Sequence, residues 1–193
     1  GKLGGDARVF VRSAATNVAK TTRKTLPRMS FPGVLTGRVS FDHPTWGRVS
    51  LVTSFKRSSS DPYSSAGEGF ITVGDPAGRT VWSMRTGDGI PYYEMALNRP
   101  AMDKTGQIFI NWNPGRYNGV TILQPTVGGF NDHQTLMDEG DYNGRFYYAE
   151  VVDLESDGVF EIAQHRNDCN PSCAGGTTTT VNYFWTGSDY ESH

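Results

Sequence analysis

From residue 34 onward, apolar and polar residues alternate with a period of two rather than the 3.6-residue period of an amphipathic helix. The apolar runs are rich in β-branched and aromatic residues, and clusters of Gly, Pro, Asn and Asp separate them. One helical turn is predicted over 131–139. The pattern predicts strands over 34–41, 47–55, 70–73, 79–84, 92–97, 107–112, 119–123, 145–152, 159–165 and 177–185.

About ten short strands at close spacing predict an antiparallel all-β domain over residues 34–193. We expect a sandwich or a partial barrel. Propeller-like blades are the alternative architecture. About ten strands are too few for a closed propeller of several four-stranded blades, so the sandwich is preferred.

Residues 1–33 are predicted to form a separate basic N-terminal arm, which docks on the domain or stays mobile. The first 30 residues carry seven basic side chains and one acidic one, whereas two Arg face twelve carboxylates from residue 129 to the end. The formal net charge of -2 therefore conceals a strong segregation. The cationic arm could contact an anionic surface, and the acidic end could hold cations. The alternative is a flexible, solvated N-terminus and ordinary solubilising charge at the C-terminal end.

Composition excludes some classes of protein. The 36% hydrophobic and 12% aromatic content opposes wholesale disorder, and no apolar run reaches the roughly 18 residues of a membrane span. Only the basic arm suits nucleic acid and the acidic end opposes it, so nucleic acid is not an expected partner. The sequence begins with Gly1 and no apolar leader, so we expect any signal segment to have been removed or left out. The oligomeric state is not predicted.

The two cysteines, Cys169 and Cys173, lie in the polar turn sequence Cys-Asn-Pro-Ser-Cys. We expect a local disulfide that closes the wide turn between the last two long strands, which is typical of a secreted protein. A zinc half-site with His165 and a redox-active thiol pair are the alternatives. The expected localisation is secreted or cell envelope.

The segment 153–161 places carboxylates at its first, third, fifth and ninth positions and a Gly at its sixth. Such oxygen ligands suit Ca²⁺, and the Gly permits the sharp turn that brings them together. The motif is similar to the acidic loops of FG-GAP and VCBS β-propeller repeats, except for the longer glutamate at the third position. A plain hairpin turn is the alternative, because Asp, Ser and Gly are common turn residues. The candidate calcium ligands are Asp153, Glu155, Asp157 and Glu161.

The string Asn-Asp-Cys-Asn-Pro-Ser-Cys-Ala-Gly-Gly at 167–176, with the preceding 157–164, resembles the C-terminal part of the actinobacterial LppP/LprE lipoprotein family. The segment 106–120 is similar to stretches of the same kind of secreted protein. The resemblance implies an exported or envelope-associated bacterial protein without an assigned catalytic role, and it transfers no catalytic residue. The lipobox cysteine of a lipoprotein is absent from these residues, so the resemblance does not imply a lipid anchor.

The segment 111–118 concentrates aromatic and amide side chains. Its aromatic rings suit the faces of sugars or a protein interface, and its polar groups suit hydroxyls. The alternative is a buried tryptophan beside an Asn-Pro-Gly turn. The candidate binding residues are Trp112, Asn113, Arg116 and Tyr117.

The sequence contains four His and no Gly-x-Ser-x-Gly, His-Glu-x-x-His or phosphate-binding glycine motif. We therefore expect a non-catalytic binding or interaction module whose partner is an envelope component, either glycan or protein. A purely structural partner protein is another interpretation. The competing enzymatic class is an envelope polysaccharide hydrolase, which would use paired carboxylates drawn from Glu94, Asp138, Asp141 and Glu150.

Overall fold

The chain is all-β, as its sequence pattern predicts. The computed structural model describes residues 29–57, 67–86, 96–97, 100–113, 119–133 and 148–192, and these contain strands and no helix. No described helix could therefore cross a membrane. The strands are β1 (Val34–His43), β2 (Gly47–Arg57), β3 (Gly67–Gly74), β4 (Thr80–Thr86), β5 (Ala96–Leu97), β6 (Ala101–Met102), β7 (Ile108–Asn113), β8 (Gly119–Thr126), β9 (Gly129–His133), β10 (Tyr148–Val152), β11 (Glu161–Asn167), β12 (Thr178–Trp185) and β13 (Tyr190–Ser192).

The helical turn predicted over 131–139 is wrong at its start, because residues 131–133 pair with β8 as part of strand β9. The remainder of that segment lies outside the described residues. The strands β6, β9 and β13 are additions to the predicted set. They are only two, five and three residues long, which is too short for a period of two to be distinctive.

Three antiparallel sheets follow one another along the chain, and none closes into a barrel. Sheet 1 has the order β1-β2-β3-β4, and sheet 3 has the order β10-β11-β12-β13. Sheet 2 has the order β5-β7-β8-β9, with β6 also paired to β7. Sheets 1 and 3 are thus meanders in which neighbours in sequence are neighbours in space, as hairpin connections favour. Sheet 2 differs in that the two short strands β5 and β6 both pair with β7.

Sheet 2 lies between the other two sheets and contributes to two separate cores. Ile108, Ile110 and Leu123 belong to the first core, with buried side chains of sheet 1. The intervening Phe109 and the neighbouring Ile122 belong to the second core, with buried side chains of sheet 3. Because successive strand residues point to opposite faces, a sheet covered on both sides needs continuous apolar runs. The run at 108–110 meets this need, and the run at 120–123 meets it except for Thr121, which is fully buried.

The last residues of the predicted arm, 29–33, pack on the outer face of sheet 1, and we call them the strap. Met29 lies directly over Gly74, where an added Cβ would collide with its sulfur. Gly33 has a φ of 75°, and a Cβ there would collide with the backbone of Phe55. A side chain at position 33 is therefore excluded by both backbone conformation and space. Residues 1–28 of the predicted arm lie outside the described residues.

Candidate functional site

The acidic loop, residues 153–161, joins β10 to β11 and is folded by its own carboxylates. The two oxygens of Asp153 accept the backbone N–H groups of Asp157 and Gly158, each at 3.0 Å. Asp157 Oδ1 accepts the N–H of Val159 at 2.8 Å. Ser156 and Gly158 have φ values of 56° and 86°, so the chain makes two left-handed steps in this turn. The loop is therefore a tight turn in which side chains satisfy backbone donors.

Glu161 ends the acidic loop and is only 2% exposed. Its Oε2 accepts the N–H of Leu154 at 2.6 Å, so the last carboxylate reaches back to the start of the loop. Desolvation is the main cause that raises the pKa of Glu161, and the charges of Asp153, Glu155 and Asp157 raise it further against the lowering effect of the Leu154 hydrogen bond. The four predicted ligands are thus close enough to repel one another.

The acidic loop is also docked on the turn between β6 and β7. The N–H of Lys104 donates to the carbonyl of Gly158 at 2.7 Å, and Lys104 Nζ donates to the carbonyl of Asp157 at 3.2 Å. In the other direction, the N–H of Phe160 donates to Asp103 Oδ2 at 3.3 Å. This contact ties sheet 3 to sheet 2 at the loop that carries the carboxylates.

The four predicted calcium ligands share one loop, and calcium binding by them stays a prediction. Within the described ranges, no group of three or more His, Cys, Asp and Glu side chains could hold a metal ion. Their oxygen chemistry suits Ca²⁺, yet Asp153, Asp157 and Glu161 each accept backbone N–H groups. The local geometry is that of the plain turn, the alternative that the sequence left open.

Cys169 and Cys173 form the predicted disulfide, with an S–S distance of 2.08 Å. It closes the loop between β11 and β12, which we call the cysteine loop (residues 168–177). Asn167 Oδ1 accepts the N–H of Cys169 at 2.7 Å, and Asp168 Oδ1 accepts the N–H of Thr177 at 2.8 Å. Because both sulfurs are bonded to each other, they cannot serve as thiolate ligands of a zinc half-site in this form of the chain, and the redox-active pair stays a prediction.

The predicted aromatic platform falls largely outside the described residues. Trp112 and Asn113 lie at the end of β7, where their backbones pair with Leu97 and Ala96 of β5. The structure describes the backbone of these two residues and not their side chains, and it does not describe Arg116 and Tyr117. The binding surface inferred from these four residues stays a prediction.

A groove on the outer face of sheet 1 is a candidate site that the sequence did not reveal. It has a volume of about 380 Å³ and lies between the strap and strands β1 and β2. The available signal was the alternation of Arg and Ser on neighbouring strands, Arg38 with Ser40 and Arg48 with Ser50. That alternation predicts a polar face. It does not reveal that the strap adds a wall, because the strap comes from a different part of the chain.

His43 supports the fold instead of offering a catalytic base. It is 2% exposed, stacks on Trp46 at 3.9 Å between ring centroids, and packs beside Phe130. Its Nδ1 accepts the N–H of Thr45 at 3.1 Å, which leaves Nε2 to donate to the carbonyl of Gly129 at 2.7 Å. Both ring nitrogens are therefore used in joining the β1–β2 turn to the start of β9.

The comparisons with known proteins add no relative. No protein-family model, curated protein or solved structure matches this chain. The resemblance to the LppP/LprE lipoproteins and to FG-GAP or VCBS loops therefore rests on the sequence strings alone.

One of the carboxylates considered for hydrolysis, Glu150, is described, and a histidine lies beside it. Glu150 Oε2 lies 3.5 Å from His165 Nε2, on the same strand pair of sheet 3. The other three candidates, Glu94, Asp138 and Asp141, lie outside the described residues. The hydrolase interpretation is consequently left without geometric support from the part of the chain that is described.

Proposed function

We propose that this chain is a non-catalytic binding module of a secreted or envelope-associated bacterial protein, and that it recognises an envelope component. The observation that carries the proposal is the groove on the outer face of sheet 1. It is open to solvent and combines guanidinium groups, hydroxyls and an apolar wall, which is the mixture that orients a ligand and covers part of it.

The carboxylates of the acidic loop are not arranged as the pair that a hydrolase needs. A glycosidase needs two carboxyl groups about 5–10 Å apart that flank the scissile bond. The carboxylates that lie near one another in the described residues, Asp153, Asp157 and Glu161, instead accept backbone N–H groups of their own loop. A carboxylate engaged in this way contributes to folding and is not presented to a substrate.

The disulfide supports a location outside the cytoplasm. Disulfides persist in oxidising compartments and are rare where thiols are kept reduced. Cys169 and Cys173 close an exposed loop that is also held by hydrogen bonds from its own side chains and backbone. A covalent closure at this position suits an exported protein, in keeping with the resemblance to envelope lipoproteins.

Calcium enters the proposal as a support for the acidic loop and not as a reactant. Asp153, Glu155 and Asp157 repel the buried charge of Glu161, and a bound divalent cation would relieve that repulsion. The donors present are carboxylate oxygens, as Ca²⁺ prefers. This part of the proposal is tested separately, because a binding module does not need the metal in order to recognise its ligand.

The binding function is tested by immobilising the folded chain and passing solubilised cell-envelope polysaccharide and protein fractions over it. Saturable retention of one fraction, lost when the immobilised chain is unfolded, is the expected result. The retained material is recovered and its size is measured before and after contact. Absence of saturable retention would refute the binding function, and shortened polysaccharide would favour the hydrolase.

A further inference from the structure

The groove beside the strap has walls of two kinds. Met29 and Phe31 of the strap form an apolar wall, and Pro76 of the β3–β4 turn adds to it. The rest of its lining includes polar side chains, with Arg38 from β1 and Ser50 from β2. Apolar surface beside hydrogen-bonding groups is suited to a ring that has a C–H face and polar substituents, as a sugar has.

Arg38 is a charged side chain of this groove that has no carboxylate partner among the described residues. Its Nη2 donates to Ser50 Oγ at 2.9 Å, and the hydroxyls of Ser50 and Ser40 are themselves 2.9 Å apart. Among the described residues, Arg38 forms no ion pair with a carboxylate. The serine hydroxyls therefore orient the guanidinium, and no described carboxylate compensates its charge or takes up its remaining N–H groups.

The acidic residue that lines the groove does not neutralise Arg38. Asp75 is held by Arg79, whose Nη2 lies 2.7 Å from Asp75 Oδ2 and whose Nε donates to the same oxygen at 2.8 Å. The second arginine of the groove, Arg48, lies 3.5 Å from Asp42, and both of these side chains are more than half exposed. Such a pair is weak in water. The groove is therefore cationic.

We propose that this groove binds the anionic group, carboxylate or phosphate, of an envelope polysaccharide, with Arg38 as the principal donor. The inference rests on the proposed binding function and specifies its ligand. A planar guanidinium presents paired N–H groups that match the oxygens of either anion. Ser50 holds the guanidinium in place, and the wall of Met29 and Phe31 covers the sugar ring that carries the anion.

The test compares purified polymers of defined charge on the full chain. Polygalacturonate carries carboxylates, poly(glycerol phosphate) carries phosphates, and dextran is uncharged. Affinity is measured by biolayer interferometry at low and at physiological salt. We expect at least one of the two anionic polymers to bind, dextran to bind about tenfold more weakly or not at all, and added salt to weaken the anionic complex.

The variants place the site on Arg38. Arg38→Gln is expected to weaken anionic polymer binding about tenfold, because it removes a charge-assisted contact. The matched control is Arg85→Gln, which removes one positive charge from the same face on the other side of the strap. Arg85 is already paired with Glu68 at 3.2 Å, so this change should alter affinity less than twofold. Both arginines are exposed, and thermal melts verify that each variant folds.

The outcomes separate this inference from the proposed function. Binding of an anionic polymer that depends on Arg38 supports the inference, and the polymer that binds identifies the anion. Equal affinity for dextran, equal losses in the two variants, or binding of neither anionic polymer would overturn it. If an envelope fraction is retained equally well by the Arg38 variant, the binding function stands and the groove is not its site. If no envelope fraction is retained, the binding function fails whatever the polymers do.

Discussion

Two loops of sheet 3 close neighbouring hairpins, and different forces hold them. The acidic loop, 153–161, folds around carboxylates that accept backbone N–H groups, and it docks on the 103–107 turn of sheet 2. The cysteine loop, 168–177, is closed on itself by a disulfide and by caps from Asn167 and Asp168. The acidic loop therefore links two sheets as well as closing its hairpin, whereas the disulfide and the caps of the cysteine loop lie within one hairpin.

This difference predicts how strongly a substitution in each loop should affect the stability of the whole domain. A change at the acidic loop disturbs a contact between sheets 2 and 3, and therefore the packing of these two sheets in the second core. A change at the cysteine loop disturbs the turn that joins β11 to β12, the two central strands of the same sheet. We expect global stability to respond strongly to the first and only modestly to the second.

The largest effect is expected from Asp103→Ala. Asp103 is 7% exposed, and its carboxylate accepts the N–H groups of Thr105, Gln107 and Phe160 and the hydroxyl of Thr105. Removing it leaves partly buried donors unpaired, which should lower the free energy of unfolding by about 3 kcal/mol. Urea denaturation measures this loss.

The control is Asp103→Asn, which keeps the oxygen that serves Thr105 and Gln107 and replaces the one that serves Phe160. It should cost about half as much as the alanine variant, since the contact within sheet 2 survives and the contact to the acidic loop does not. A loss below about 1 kcal/mol for Asp103→Ala would show that the acidic loop is not a structural link between sheets.

The next effect concerns calcium and tests whether the acidic loop has a ligand that the cysteine loop lacks. Calcium at about one hundred times its dissociation constant should stabilise the chain by about 2.7 kcal/mol, and EDTA should reverse this gain. Asp157→Ala should abolish the response, because it removes one predicted ligand. Melting temperature with calcium and with EDTA is the measurement.

The matched control for calcium is Asp168→Ala, an aspartate that caps the cysteine loop through the N–H of Thr177. This variant should be less stable than the wild type and should keep the full calcium response. If the wild-type melting temperature is the same in calcium and in EDTA, the acidic loop is a plain turn and the proposed calcium binding is refuted.

Removal of the disulfide should have a smaller effect. Replacing Cys169 and Cys173 together by Ser frees a ring of about five residues, for which the chain-entropy estimate is about 2 kcal/mol or less. Because Asn167 and Asp168 still cap the loop, we expect the remaining structure to persist. Denaturation with and without the disulfide measures the loss, and a loss as large as that of Asp103→Ala would contradict the comparison.

Much of the fold could be predicted because the local pattern contains it. The ten predicted strands have counterparts in the structure, since β-branched runs bounded by turn residues are a local signal. The role of sheet 2 was not predicted. Continuous runs such as Ile108-Phe109-Ile110 show burial on both faces only when the covering sheets are known, and those come from residues distant in sequence.

The candidate sites also differ in whether they depend on residues close in sequence, which could be predicted, or on contacts between distant residues, which could not. The disulfide was predictable because Cys169 and Cys173 are close in sequence and both lie in one turn. The acidic loop was found as a motif, but the docking of Lys104 on Gly158 was not, because 54 residues separate them. The groove at Arg38 also depends on long-range contacts, since Met29 reaches it only by lying over Gly74.

The smallest effect is the pH dependence that Glu161 confers on the acidic loop. Burial and the neighbouring carboxylates raise the pKa of Glu161 above its ordinary value of 4.5, so the folded chain holds this proton more tightly than the unfolded chain. Between the ordinary and the raised pKa the folded state binds more protons, and its stability falls as pH rises through that window. The ionised Glu161 therefore costs stability at neutral pH.

Glu161→Gln removes the charge and keeps an oxygen for the N–H of Leu154. In EDTA, the melting temperature of this variant should equal or exceed that of the wild type at pH 7, and the difference should shrink towards pH 4.5. Glu191→Gln, an exposed position in the same sheet, should keep the wild-type dependence. If Glu161→Gln also keeps it, repulsion within the acidic loop is negligible, and the loop, like the cysteine loop, is held without a charge penalty.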